Sequence, residues 1–143
     1  MLQDDIRIED LIPHRDRMKL VDEILAVDDT TAVTLSVVSE KWPTAGGGGA
    51  CAVTLVELVA QTAGICIGWR ELRKHGNTKG GRGWLVGIKK AVFMKDPIPL
   101  GARVVTSAEK KFSFEGLSEI TGTVRIGEDP IADVTLQVVQ EED

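Results

Sequence analysis

The sequence predicts an α+β fold in which a curved antiparallel sheet of about six strands wraps around one long central helix. Two patterns carry that expectation. From Ala50 to Trp69 the chain is apolar on nearly every helical side, with Glu57 as its one charged residue, so a helix there must be enclosed by the rest of the chain. Elsewhere, and most clearly from Arg103 onward, hydrophobic residues recur at every second position, which is the period of strands. A length of 143 residues suits one domain spanning 1–143, large enough to fold without a metal or disulfide staple.

The elements follow in order. Met1 to Asp10 already carries Asp4, Asp5, Arg7, Glu9 and Asp10, where a secretory leader needs basic residues and then an apolar run, so a cytoplasmic location is expected. Leu20 to Val27 and Thr31 to Val38, separated by Asp28-Asp29, read as a hairpin. The helix ends at Gly76, because Arg73, Lys74 and His75 oppose the negative end of its dipole and glycine supplies a left-handed stop. Its start is read near Ala50, after the run Gly46-Gly47-Gly48-Gly49. Trp84 to Met94 reads as a strand before Pro97 and Pro99.

In Arg103 to Phe114 the even positions, Val104, Thr106, Ala108, Lys110, Phe112 and Phe114, share one face. Glu115-Gly116 turns the chain into Ser118 to Ile126, where Ile120, Gly122, Val124 and Ile126 repeat the pattern. After Gly127-Glu128-Asp129-Pro130, the residues Ala132, Val134, Leu136 and Val138 alternate again. These three strands should form an antiparallel meander.

Composition narrows the function classes. Mean hydropathy of +0.01 and 27% charged residues are those of a folded, soluble chain. Glu57 and Gln61 inside the apolar stretch argue for a buried helix and against a membrane span. A net charge of −5 and a pI near 5.1 argue against nucleic-acid binding, which needs a basic face. The charge is segregated, however: between Arg70 and Lys95 eight basic residues face one acid, Glu71. A basic patch on an acidic protein steers acidic partners, although such a run is also the ordinary make-up of a solvated face. Cys51 and Cys66 share no CxxC spacing and lie in apolar sequence, so both are read as reduced, buried thiols. Two histidines, His14 and His75, with no clustered ligands make a metal site improbable.

Within the apolar helix Thr54, Glu57, Gln61 and Gly64 are spaced three, four and three apart and share one face. A carboxylate in such a setting either finds donors or takes up a proton, which makes Glu57 a candidate catalytic residue. Thr54-Leu55-Val56-Glu57 also fits a capping box, in which Glu57 only reaches back to the helix start. The preceding glycine run permits a ligand to touch the backbone and aims N–H groups from the helix start, or is merely a flexible loop. Without a following lysine it is no phosphate-binding P-loop. Gly49, Thr54, Gln61 and Gly64 are the candidate substrate-binding residues beside Glu57, whereas Ala60, Gly64 and Gly68 also make a narrow ridge for close packing. Trp42 and Trp69 are read as packing residues.

Pro13-His14-Arg15 followed by Met18-Lys19-Leu20-Val21-Asp22 resembles the opening motif of hotdog-fold 3-hydroxyacyl-acyl-carrier-protein dehydratases. Glu57-Leu58-Val59-Ala60-Gln61 is similar to their E-x-x-A-Q helix motif, and Trp84 to Phe93, with Pro97, Pro99 and Gly101, to the strand and turn after that helix. The stretch from Gly83 to Lys90 resembles in particular the divergent dehydratase-like proteins of aryl-polyene pathways. The resemblance runs from about Ile6 to Val139 and implies a hotdog fold.

It also implies a substrate carried as a thioester on the phosphopantetheine of an acyl-carrier protein or on coenzyme A, with no further cofactor. Arg70, Arg73, Lys74, Lys79 and Arg82 then become candidates for carrier docking. A side-by-side dimer is implied, either a homodimer or a heterodimer with a related dehydratase, with no nucleic-acid or membrane partner.

One element of the family pattern is missing. The family pairs the helix acid with a histidine in an upstream G-H-F-P loop, and here Trp42-Pro43-Thr44-Ala45 stands in that region. His75 follows Glu57 by roughly 27 Å along a helix, and His14 is read as structural. Three functions therefore stand side by side. The first is a dehydratase-like enzyme with Glu57 as acid and a substitute or partner-supplied base. The second is thioester hydrolysis by Glu57 beside backbone donors, which needs no such histidine. The third is a non-catalytic subunit that binds a carrier or completes a heterodimer.

Overall fold

The computed structural model describes residues 7–76 and 83–140. A short helix α1 (Ile8–Leu11) and a 3-10 turn (Asp16–Met18) precede the hairpin β1 (Glu23–Val27) and β2 (Thr31–Val37). The long helix α2 (Thr54–His75) follows, then β3 (Gly83–Phe93), β4 (Arg103–Phe114), β5 (Leu117–Ile126) and β6 (Asp129–Gln140). All strands pair antiparallel in one six-stranded sheet of order β1-β2-β4-β5-β6-β3. This is the hotdog architecture expected from the sequence, with α2 connecting a strand near one edge to the strand at the other.

The core lies between α2 and one face of the sheet. Leu55, Leu58, Val59 and Ile65 of the helix are buried against Val104, Val124, Val134 and Leu136 of the strands. Gly122 sits where the two layers come closest: a Cβ there would meet Val59 Cγ1 at 2.3 Å. The sheet alone does not enclose α2. The segment from Ile8 to Val21 closes the remaining side, burying Ile8, Leu11, Ile12, Leu20 and Val21, and it approaches so closely that a Cβ on Gly68 would lie 2.5 Å from the Leu11 carbonyl oxygen.

Three sequence expectations are corrected. Helix α2 begins at Thr54, not near Ala50, because the backbone of Ala50 is exchanged in a β-bridge with Ile98. Cys51 therefore lies in a turn and is exposed, while Cys66 is buried as expected. In β4 a bulge between Lys110 and Phe112 inserts one residue and reverses the pleat. Phe112 and Phe114 consequently stand opposite Glu119 and Leu117 and are exposed, whereas Val104, Thr106 and Ala108 before the bulge are buried. The C-terminal end of α2 is as expected, with Gly76 at φ 73° donating its N–H to the Leu72 carbonyl. No helix among the described residues is long and apolar enough to cross a membrane.

Candidate functional site

Glu57 lies in the first turn of α2. Its carboxylate does not close a capping box. Oε1 instead accepts a hydrogen bond from Gln61 Nε2 at 3.1 Å, one helical turn on, and lies 3.0 Å from His14 Nε2. The carboxylate and the imidazole are both partly open, at 37% and 29% side-chain exposure, so the pair sits at an opening and not inside the core. Both contacts fall on Oε1, and Oε2 of Glu57 has no hydrogen-bond or ion-pair partner among the described residues.

His14, which the sequence reading places in a structural element, lies against the helix carboxylate. Its ring meets the carboxylate on the helix because residues 12–22 run back across the open side of α2. Gln61 holds that segment. Although wholly buried, its amide is saturated: Nε2 also donates to the Met18 carbonyl, and Oε1 accepts from Leu20 N–H at 2.9 Å. Nδ1 of His14 is buried and has no hydrogen-bond partner among the described residues. In its neutral form the ring therefore carries its proton on Nε2, where Glu57 Oε1 accepts it.

The remaining sequence candidates are placed as follows. Thr54 is buried with its hydroxyl 2.6 Å from that of Thr44, which also accepts the Cys51 N–H. Gly49 has φ +116°, and a Cβ there would come within 2.2 Å of the Ile98 carbonyl oxygen, so only glycine fits. Gly64 faces Ile12, whose Cγ2 would lie 3.1 Å from an added Cβ. Thus Glu57 and Gln61 meet directly, Thr54 and Gly49 shape the loop before the helix, and Gly64 makes room for the N-terminal segment. The N–H groups of Gly46, Gly49, Ala50, Cys51 and Ala52 all donate within the protein, the last to Asp96 Oδ1. Few loop donors remain for a substrate carbonyl; Val53 N–H, at the positive end of α2, is one without an acceptor among the described residues.

Of the basic segment, Lys79 and Arg82 lie outside the described residues. Arg73 is committed to Asp29 at 2.7 Å and stacks over the Trp69 ring at 4.7 Å, and Lys89 and Lys90 pair with Glu119 and Asp133. Arg70 and Lys74 line a groove of about 410 Å³ together with Lys110, Lys111 and Phe112 from β4. The β4 residues were not singled out from sequence, since only the sheet brings them beside the end of α2. A second cleft, of about 560 Å³, is lined by Arg15, Arg17, Lys41 and the buried Trp42, but not by Glu57 or His14. His75 is placed at the far end of the helix, 3.5 Å from Glu71. No cluster of metal-ligating side chains occurs among the described residues.

Comparison with known proteins gives one family and one fold. The model of the ApeP-like family, described as ApeP dehydratase, matches residues 6–143. No curated protein matches the chain. Among solved structures, the dehydratase heterocomplex ApeI:P from Xenorhabdus doucetiae contains a chain that superposes with a TM-score of 0.84 at 17% identity, covering 96% of this chain and 93% of that one. Cj0977, a sigma28-regulated virulence protein from Campylobacter jejuni, superposes with a TM-score of 0.72 at 16% identity, covering 96% and 98%. A hypothetical thioesterase from Streptococcus pneumoniae, solved with coenzyme A, gives 0.63 at 16% identity over 85% and 88%. At these identities the structural likenesses establish the hotdog fold.

Proposed function

The chain belongs to the ApeP-like dehydratase family, and from that premise we propose that it dehydrates 3-hydroxyacyl thioesters carried on an acyl-carrier protein or coenzyme A, using Glu57 held by His14. The observation that carries this reading is the 3.0 Å contact between His14 Nε2 and Glu57 Oε1, with Gln61 on the same oxygen. Two donors fix Oε1 and stabilise the carboxylate, and Oε2 stays free for the substrate.

The elimination then needs one carboxylate. Glu57 Oε2 takes the α-proton, whose bonding pair forms the new double bond as the β C–O bond breaks. The protonated Oε2 returns that proton to the departing hydroxyl, so water leaves and the carboxylate is regenerated. The thioester oxygen gathers negative charge meanwhile, and Val53 N–H at the positive end of α2 is one donor available for it. His14 acts as the group that holds and orients the carboxylate, which answers the absence of a G-H-F-P histidine without a second base.

Assembly is part of the reading. Among the described residues, strand β3 is an edge of the sheet and pairs only with β6. Its Leu85 and Ile88 stand opposite the buried Val138 and Leu136, on the helix side, yet are 44% and 54% exposed. An unpaired edge with an uncovered apolar face invites a further strand. The occupant is a second hotdog chain, either a copy of this one or a related dehydratase, as in the heterocomplex that the chain resembles in fold. The carrier docks on Arg70 and Lys74, which share a groove with Lys110 and Lys111, and the protein works in the cytoplasm.

The test is mass spectrometry of a 3-hydroxyacyl carrier protein and its coenzyme A analogue after incubation with the purified chain, alone and with a related dehydratase subunit. Loss of water that disappears in Glu57→Gln supports the reading. Release of free thiol replaces it with thioester hydrolysis, and an unchanged substrate under both conditions replaces it with a non-catalytic subunit.

A further inference from the structure

His14 reaches Glu57 from a stretch with almost no main-chain support. Helix α1 ends at Leu11, Ile12 and Arg15 are extended, and the chain turns at Asp16 with φ 54°. Between these points neither His14 nor Arg15 donates a main-chain hydrogen bond among the described residues. The Arg15 side chain supplies what the backbone lacks. Its Nη1 donates to the carbonyls of Ile12 and His14, both at 2.8 Å, and its Nη2 donates to the carbonyl of Glu9 at 2.9 Å. None of these acceptors is a carboxylate, since the Glu9 carboxylate is held by Lys19 and Arg7. The guanidinium therefore works as a rigid fork that ties positions 9, 12 and 14 together, a role a lysine ammonium does not reproduce because its donors radiate from one atom.

We infer that Arg15 is a positioning residue for His14, setting the imidazole against Glu57 by clamping the carbonyls on either side of it. This inference rests on the proposed role of the His14–Glu57 pair. It makes a definite demand: without the fork, the ring loses its fixed tautomer and its contact with the carboxylate, while the protein stays folded through Gln61 and the buried Ile8, Leu11 and Ile12.

The experiment uses the full chain carrying His75→Gln, so that His14 is the single histidine. Nitrogen NMR of the imidazole reports its tautomer and its response to Glu57→Gln. With Arg15 in place, the Nε2–H tautomer is expected, and Glu57→Gln shifts the ring signals. In Arg15→Lys that response is lost although the amide spectrum remains dispersed, and kcat for water loss falls about 10²-fold at an unchanged KM. An equal response to Glu57→Gln in Arg15→Lys overturns the inference and leaves the proposed function standing. Collapse of the amide spectrum in both Arg15→Lys and Arg15→Gln also overturns it, since Arg15 would then hold the fold and not the ring. No response to Glu57→Gln even with Arg15 present removes the His14–Glu57 contact, and with it both the inference and the catalytic arrangement above.

Discussion

His14 Nε2 lies 3.0 Å from Glu57 Oε1, joining an irregular segment ahead of β1 to the first turn of α2. The contact gives a lone helix carboxylate a defined orientation. The family's G-H-F-P histidine is absent, and the histidine beside this carboxylate comes from a different part of the chain.

Dehydration should depend on both members of this pair, but unequally. Glu57→Gln removes the proton acceptor and is expected to lower kcat by about 10²–10⁴-fold, the usual span for a general acid–base group. His14→Asn should cost less and add little to Glu57→Gln, because the two act through one carboxylate. Steady-state kinetics of the two single variants and the double variant check this; additive losses would mean that His14 acts independently.

Gln61→Leu should lower stability as well as activity. The substitution leaves Leu20 N–H and the Met18 carbonyl without the partners they have now, and unsatisfied groups at a buried site cost about 2–4 kcal/mol together. Denaturant unfolding reads the loss, with an unchanged midpoint as the result that contradicts it.

Gly122→Ala should destabilise by about 1–3 kcal/mol through overpacking, since the new Cβ falls 2.3 Å from Val59 Cγ1. Pairing it with Val59→Ala relieves the clash. The double variant is therefore expected to be more stable than the two single losses combined predict, a coupling that thermal unfolding of all four proteins measures.

The two cysteines should differ sharply toward iodoacetamide at pH 8. Burial, reinforced by the nearby Asp28 charge, pushes the Cys66 thiol up to about 11, so thiolate is scarce there. Cys51 is exposed and should carry the single adduct found by mass spectrometry. Linkage gives the sign of the stability effect. An acid whose folded value is raised stabilises the fold fully below its ordinary value of 9.0, and that contribution is lost as pH rises toward about 11. Cys66→Ala should flatten this alkaline decline.

Ile88→Glu should prevent edge-to-edge assembly without unfolding the chain, because Ile88 is exposed although it faces the helix side of β3. Analytical ultracentrifugation of the chain, alone and with a related dehydratase subunit, decides the point: a complex that survives the substitution places the interface elsewhere.

Much of this molecule was legible in its sequence. Alternation in the last three strands, the Asp28-Asp29 turn and the Gly76 stop each express a local rule, a period of two or a left-handed cap, that needs no distant partner. Glu57 and Gln61 stood out for the same reason, as polar residues one turn apart in an apolar helix. What local rules leave open is where a segment without periodicity comes to rest. His14 lies in such a segment, and its position depends on three carbonyls gathered by Arg15 and on an amide reaching over from α2. The outward turn of Phe112 and Phe114 likewise follows from one bulged residue, whose placement is set by pairing with β5 and not by β4 itself. The sequence by itself determined the helix, the strands and the acid; the tertiary structure decided which histidine the acid meets, because that contact is made by long-range hydrogen bonds that no periodicity encodes.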